Sequence, residues 1–355
     1  MNDRRAFLKN AGIALFGIGI GGVPSFLTKA VAAEANAGLF QKKKILVCIF
    51  QRGAMDGLMA VTPFNDKFLK EARPTLFMQP GKQQDENALF DLDGTFGLHP
   101  AFSSFIPLFR QKQMAIVHGM GSPNNTRSHF DAQDYMESGN PFSKKTASGW
   151  LNRAAEHLGH DHGILQAVSL SATLPKSLYG NHPAMAIQNI GDFANTLSNP
   201  RITQSLAAKS FEELYEETTS SLLRETGKES FEAIKLLQKT YTKNYQPQNG
   251  AQYPTSPLGN SLKQIAQLIK MNVGLEIAVA ESGGWDTHFN QGKGNGSFAR
   301  NATDFSKSIA AFWNDLGVLQ DDVTIMTMTE FGRTVKQNGT GGTDHGRASC
   351  NFIIG

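Results

Sequence analysis

Short apolar runs alternate along this chain with segments of helical spacing. Lys44 to Phe50, Gln113 to His118, Ile164 to Leu170, Leu275 to Ala280, Val323 to Thr329 and Asn351 to Ile354 are apolar, and several are rich in β-branched residues. Each reads as a strand buried on both faces. Ala184 to Gln188 reads as one more. Between them, Phe102, Phe105, Ile106, Leu108 and Phe109 recur with a helical period after Leu98-His99-Pro100. Further helices are predicted over Asp131 to Met136, from Gly149 onward, over Ser261 to Met271 and over Ala299 to Leu316. Thr62 to Gln84 carries Pro63, Pro74 and Pro80 and reads as irregular, and Asp91 to Thr95 reads as a turn.

Strands alternating with helices predict an α/β fold: a doubly wound, largely parallel sheet flanked by helices. From residue 190 to 256 the texture changes. Leu206, Phe211, Leu214, Leu222, Phe231, Ile234 and Leu237 recur among many Glu and Lys, which predicts a helical insertion of two or three helices at the side of the sheet.

The ends of the chain differ from its middle. Arg4-Arg5-Ala6-Phe7-Leu8-Lys9 matches a twin-arginine export pattern, with Asp3 where Ser or Thr is commoner. Ala11 to Val23 is apolar, and Ala30-Val31-Ala32 offers small residues for cleavage. The apolar part is shorter than the ~20 residues that span a bilayer. Residues 1–32 therefore read as a signal peptide and 33–43 as a linker, with no stable membrane anchor. The expected partner is the twin-arginine export machinery, and the expected location is the periplasm or outside the cell. At the other end, Phe352-Ile353-Ile354-Gly355 stops on a strand-like run, which predicts that the domain of residues 44–355 continues beyond Gly355.

The composition (355 residues, 40% hydrophobic, 18% charged) fits one large domain or two smaller ones. The net charge of +3 is concentrated at the N-terminus, and Lys42-Lys43-Lys44 reads as a solvated lead-in, so no nucleic-acid partner is expected. Cys48 and Cys350 lie in apolar runs and read as buried thiols rather than a disulfide. His157, His160 and His162 read as a polar surface loop. Gly292-Lys293-Gly294-Asn295-Gly296 lacks the preceding strand and the Lys-Ser/Thr of a phosphate-binding loop.

The candidate chemistry collects where predicted strands end. Gly283-Gly284-Trp285-Asp286-Thr287-His288 comes after the Leu275 strand, so the two glycines turn the chain and present a carboxylate and an imidazole at the sheet rim. Glu330-Phe331-Gly332-Arg333 comes after the Val323 strand, and Asp344-His345 precedes the last one. Asp56 lies in the glycine-bounded loop after the first strand. Ser128 lies near a helix N-terminus, where backbone N–H groups favour an anion or a developing alkoxide, or where a serine simply caps the helix. Oxygen donors with imidazoles suit Zn²⁺, Mn²⁺ or Mg²⁺. Two such ions ~4 Å apart would clamp a phosphate or sulfate ester, and Arg333 or Arg127 would neutralise remaining charge. A metal-free Ser-His-Asp triad is the other arrangement available, but Arg127 and His129 flank Ser128 and no Gly-x-Ser-x-Gly turn is formed.

Arg52 to Gly57, Leu98-His99-Pro100, Ser128-His129-Phe130, Gly149-Trp150-Leu151, Gly283 to His288, Thr329 to Arg333 and Gly342 to Gly346 occur in one order. That set resembles the bacterial domain-of-unknown-function family numbered 1501, over nearly all of the chain after the leader. The family is related to the alkaline phosphatase-like superfamily of phosphatases, sulfatases and phosphoglycerate mutases. The resemblance implies an alkaline phosphatase-like domain with one or two divalent metals at the strand ends, acting on a small-molecule ester. Position by position, Asp56 resembles the first-strand metal ligand and Ser128 the nucleophile. Asp286 and His288 resemble the Asp and His of one metal site, Glu330 the acid after the next strand, and His345 the late histidine. The superfamily usually has Asp-x-x-x-His where Asp286-Thr287-His288 stands, and Asp-His where Glu330-Phe331 stands. The second metal site would then lack an imidazole unless Asp344 or His129 compensates. Two functions follow as expectations: an exported metal-dependent hydrolase of phosphate or sulfate esters, or a non-catalytic periplasmic binding or assembly protein on the same scaffold.

Overall fold

The computed structural model describes residues 44–82, 85–158, 163–195, 221–241 and 244–355. The expected leader (1–32), the linker (33–43), His160 and His162 lie outside the described residues.

In chain order the elements begin with β1 (Ile45–Gln51), α1 (Gly57–Ala60), β2 (Val61–Pro63), α2 (Lys67–Ala72), β3 (Gln79–Pro80), β4 (Ala88–Asp91) and β5 (Phe96–Leu98). A 3₁₀ turn (Pro100–Phe105), α3 (Ile106–Arg110), β6 (Met114–Met120), α4 (His129–Ser138), α5 (Trp150–Leu158), β7 (Ala167–Ser169) and β8 (Met185–Ala186) come next. The rest are α6 (Ile190–Asn195), α7 (Ser221–Thr240), α8 (Pro257–Lys270), β9 (Ile277–Ser282), α9 (Ser297–Leu316), β10 (Val323–Thr329), β11 (Arg333–Gln337), β12 (Thr343–His345) and β13 (Ser349–Ile354).

The main sheet has the order β6-β13-β10-β1-β9-β7-β8. β1 pairs in parallel with both β9 and β10, and β9, β7 and β8 continue in parallel. β13 runs antiparallel to both of its neighbours, β10 and β6. The expected doubly wound, largely parallel α/β arrangement is therefore present. Alternation along β1 explains why helices cover both faces. Val47 and Ile49 point into the larger core with Leu262 of α8, Phe305 and Phe312 of α9, and Phe102 and Phe105. Cys48 and Phe50 point the other way, onto Met136 of α4 and Trp150 and Leu151 of α5. Both cysteines are free and buried, and burial pushes each thiol up to about 12.

The stretch read as irregular is partly ordered: β2, β5, β4 and β3 form a separate four-stranded sheet. Its strands are two to four residues long, too short for a period-2 pattern to show. The polar hairpin β11–β12 likewise lies outside the expected strands. Within 190–256, α6 and α7 are the described helices. The Ile190 N–H of α6 donates to Gln264 of α8 at 2.8 Å. No described helix is long and apolar enough to cross a membrane.

Candidate metal centre

Asp286, His288, Glu330 and His345 meet near the C-terminal edge of β1, β9 and β10. The loop after β9 shows how alternation aims them. Trp285 is fully buried against Phe298 and Phe305, and its Nε1–H donates to Ser282 Oγ at 3.1 Å. Thr287 is buried too, so Asp286 and His288 turn outward between and after them. Gly53, at φ 116°, lets the loop after β1 pass close by; a Cβ there would stand 2.5 Å from the Asp286 nitrogen. The hairpin β11–β12 pairs Arg333 with His345 and delivers both to the same spot.

Three imidazoles crowd together. His129 Nε2 and His288 Nε2 each lie 2.9 Å from His345 Nε2. Asp286 Oδ1 lies 3.1 Å from His288 Nε2 and 3.2 Å from His345 Nε2, and Asp286 Oδ2 lies 3.5 Å from His129 Nε2. One ligand atom each from His129, Asp286 and His345 fits within 4.8 Å of the others, the spacing of a metal-binding triad.

The outer nitrogens decide what the inner ones present. His129 Nδ1 lies 2.7 Å from Glu330 Oε1, His288 Nδ1 3.1 Å from Asp344 Oδ1, and His345 Nδ1 2.8 Å from the Arg127 carbonyl. All three of these partners are acceptors, so each Nδ1 carries the hydrogen and donates. A ring that holds its hydrogen on Nδ1 alone turns an Nε2 lone pair inward, beside a carboxylate. Lone pairs facing one another at 2.9 Å repel unless a proton or a cation lies between them. The donor set fits a divalent ion: imidazole nitrogens and a carboxylate, each ring backed by a hydrogen-bond acceptor.

Around this cluster the remaining expected residues take different places. Glu330 is buried behind His129. It also accepts from the Gly53 N–H at 2.8 Å, Gln133 Nε2 at 3.1 Å and Thr329 Oγ1 at 2.9 Å. Asp344 stands behind His288 and accepts from Asn338 Nδ2 at 3.1 Å. The structure does not bring Asp56 to the imidazoles. It is fully buried in a two-pronged pair with Arg73, at 2.8 and 3.0 Å, and caps α1 through the Met59 N–H. Its oxygens are filled by N–H donors. Ser128 is the N-cap of α4, its Oγ accepting from the Asp131 N–H at 3.4 Å. It stands in the chain between Arg127, whose carbonyl holds His345, and the clustered His129. Arg333 Nη2 donates to Asp286 Oδ1 at 2.6 Å and to the Trp285 carbonyl at 3.3 Å.

Charge follows from these contacts. The Glu330 hydrogen bond, working against burial, raises the His129 pKa above its ordinary value. Burial lowers that of His345. Burial pushes the Asp286 carboxyl up, but Arg333, His288, His345 and His129 outweigh it and hold the group below the usual range. Glu330 has the same pattern: burial raises it, and the bonds from His129, Gln133 and Gly53 bring it lower. The Asn338 and His288 hydrogen bonds lower Asp344.

His129 is absent from the expected ligand set, although it is the substitute named for a missing imidazole. Its signal is its place at the first helical position after a Ser N-cap, one residue from the candidate nucleophile. Beside the cluster, Arg52, Phe130, Gln133, Lys176 and Glu281 line a cavity of about 760 Å³.

A family model described as "Protein of unknown function (DUF1501)" matches residues 43–355. No curated protein matches the chain. Among solved structures, the chain is similar to the C-terminal periplasmic domain of EcEptC from Escherichia coli, in complex with Zn. The identity is 9% and the TM-score 0.40, over 88% of this chain and 73% of that one.

Proposed function

This chain belongs to the DUF1501 family, and within it we propose an exported, metal-dependent hydrolase of phosphate or sulfate esters that uses Ser128 as its nucleophile. One observation carries the reading: ligand atoms of His129, His345 and the Asp286 carboxylate lie within 4.8 Å of one another at a sheet edge, beside the Arg333 guanidinium. His129, Asp286 and His345 hold a divalent ion, with His288 beside them. Zinc, manganese and magnesium are the candidates, and imidazole favours zinc among them. Such an ion supplies Lewis-acid stabilisation of the charge on an ester oxygen.

The chain's own residues supply the rest. Arg333 offers N–H donors to a non-bridging oxygen from a buried, fixed position. Ser128 Oγ forms the bond to phosphorus or sulfur as the ester bond to the alcohol oxygen breaks and the serine proton passes to that departing oxygen; water then displaces Oγ, which takes a proton back from the water as the acid is released. At the N-terminus of α4 the backbone N–H groups favour the alkoxide. The neighbouring cavity, with Phe130 and Arg52 on its wall, receives the alcohol part. Export runs through the twin-arginine machinery. Asp56 is committed to Arg73, which favours one ion over two.

The second reading, a binding protein that keeps the metal, draws on the engagement of Ser128 as a helix cap. Ser128→Ala separates the two. As a nucleophile its loss abolishes turnover of aryl phosphate or sulfate esters, while the lost cap costs only about 1 kcal/mol of stability. Turnover that survives Ser128→Ala removes the nucleophile assignment.

A further inference from the structure

We propose that Asp56, Arg73 and Gln291 form a buried positioning hub that sets the spacing of the two ligand-bearing loops; this rests on the metal-centre reading above. The three residues sit outside the imidazole cluster: Arg73 and Gln291 each bond to segments that carry its ligands, and Asp56 joins the two. The Arg73 guanidinium pairs with both Asp56 oxygens. It also donates from Nη2 to the Thr334 carbonyl at 2.8 Å and from Nε to the Val335 carbonyl at 2.8 Å. Those carbonyls come directly after Arg333 along β11. Gln291 Nε2 donates to Asp56 Oδ2 at 2.7 Å. Its Oε1 accepts from Thr287 Oγ1 and Thr343 Oγ1, both at 2.9 Å. Thr287 lies between Asp286 and His288, and Thr343 lies just before Asp344 and His345. The Thr343 N–H also donates to the Thr287 carbonyl at 3.2 Å.

One amide oxygen thus holds the β9 loop and the β12 strand at a fixed separation, and the Arg73 guanidinium ties β11 to Asp56, which Gln291 also holds. The inner side chains are the threonines and the outer ones are the ligands, so moving either threonine moves Asp286, His288 or His345. Asp56, Arg73, Gln291, Thr287 and Thr343 are all buried. A buried ion pair adds little net stability, because desolvation offsets its attraction. A fully satisfied polar network instead fixes one geometry where apolar packing would tolerate several. That suits a device whose output is the distance between two metal-binding loops.

The test measures zinc affinity of the full chain by competition with a chromophoric chelator, alongside melting of the metal-free protein. Gln291→Leu removes the clamp without leaving a buried charge unpaired. Zinc affinity is expected to fall roughly 10- to 100-fold, the usual effect of losing support behind a metal ligand. The apolar double variant Asp56→Leu/Arg73→Met, which removes both charges together, is expected to show the same loss. Leu262→Ala, at a buried core position of α8, lowers the melting temperature but keeps wild-type zinc affinity. Wild-type affinity in the two hub variants, or a loss no larger than that of Leu262→Ala, overturns the proposal. A wild-type protein that binds no zinc is a different result: it removes the metal centre itself, and the hub with it.

Discussion

Arg333 reaches Asp286 from inside the protein: its Nη2 lies 2.6 Å from Asp286 Oδ1, with the arginine side chain wholly buried and the carboxylate exposed. The cation is therefore fixed and the anion faces the solvent side of the site. A fixed, buried cation directly behind that carboxylate stabilises negative charge that develops beside it. Arg333→Met is expected to lower kcat/KM for an aryl phosphate or sulfate ester by about 100-fold or more. Zinc affinity is not expected to fall, because the substitution frees a carboxylate oxygen for the ion. Steady-state kinetics and a zinc titration on the same sample check both halves.

Gly53 joins the first strand to the site by two contacts. Its N–H donates to Glu330 at 2.8 Å, and its φ of 116° places the Asp286 backbone where a Cβ would be. Gly53→Ala is expected to cost about 2 kcal/mol or more through backbone strain. It should also weaken zinc binding, since it pushes on the Asp286 loop. Denaturant unfolding measures the first effect and chelator competition the second.

His99 links pH to stability away from the imidazole cluster. It is fully buried, and burial lowers its pKa from 6.5 to about 4. Nδ1 accepts from the Ala101 N–H at 3.1 Å, so Nε2 carries the hydrogen and donates to the Lys293 carbonyl at 3.1 Å. The unfolded chain binds this proton more readily than the folded one. Stability is therefore present above about 6.5 and is lost as pH falls toward about 4. The loss from this residue is on the order of 3 kcal/mol. His99→Gln is expected to flatten the difference between unfolding curves measured at about pH 7 and about pH 4.5.

The frame of the fold was legible because its strands are buried on both faces. β1, β9, β10 and β13 appear as largely apolar runs, and β10 spans Val323–Thr329 as its pattern predicts. The four-stranded side sheet was not, since Pro63, Pro80 and very short strands hide its alternation. The hairpin that carries Arg333 and His345 is polar and gives no hydrophobic signal. Within the site, Asp286, His288 and His345 do come together, because glycines at a strand end turn the next few residues onto the sheet rim. Asp56 does not join them. A carboxylate after a first strand looks the same in sequence whether it faces a crevice or a buried arginine, and Arg73 lies on a later helix end with nothing local to mark the pairing. The missing imidazole of the Glu330-Phe331 pair has a physical answer too. His129 enters from α4, and Glu330 orients it instead of standing beside it.

Metal content is the most direct test of the site, by elemental analysis of the full chain purified without chelators, beside an Asp286→Ala/His345→Ala double variant. About one divalent ion per chain is expected for a single site of imidazole and carboxylate ligands, with its loss in the variant. A wild-type protein that unfolds cooperatively yet carries no metal would contradict the metal centre, leaving the histidines as a hydrogen-bonded cluster that shares protons.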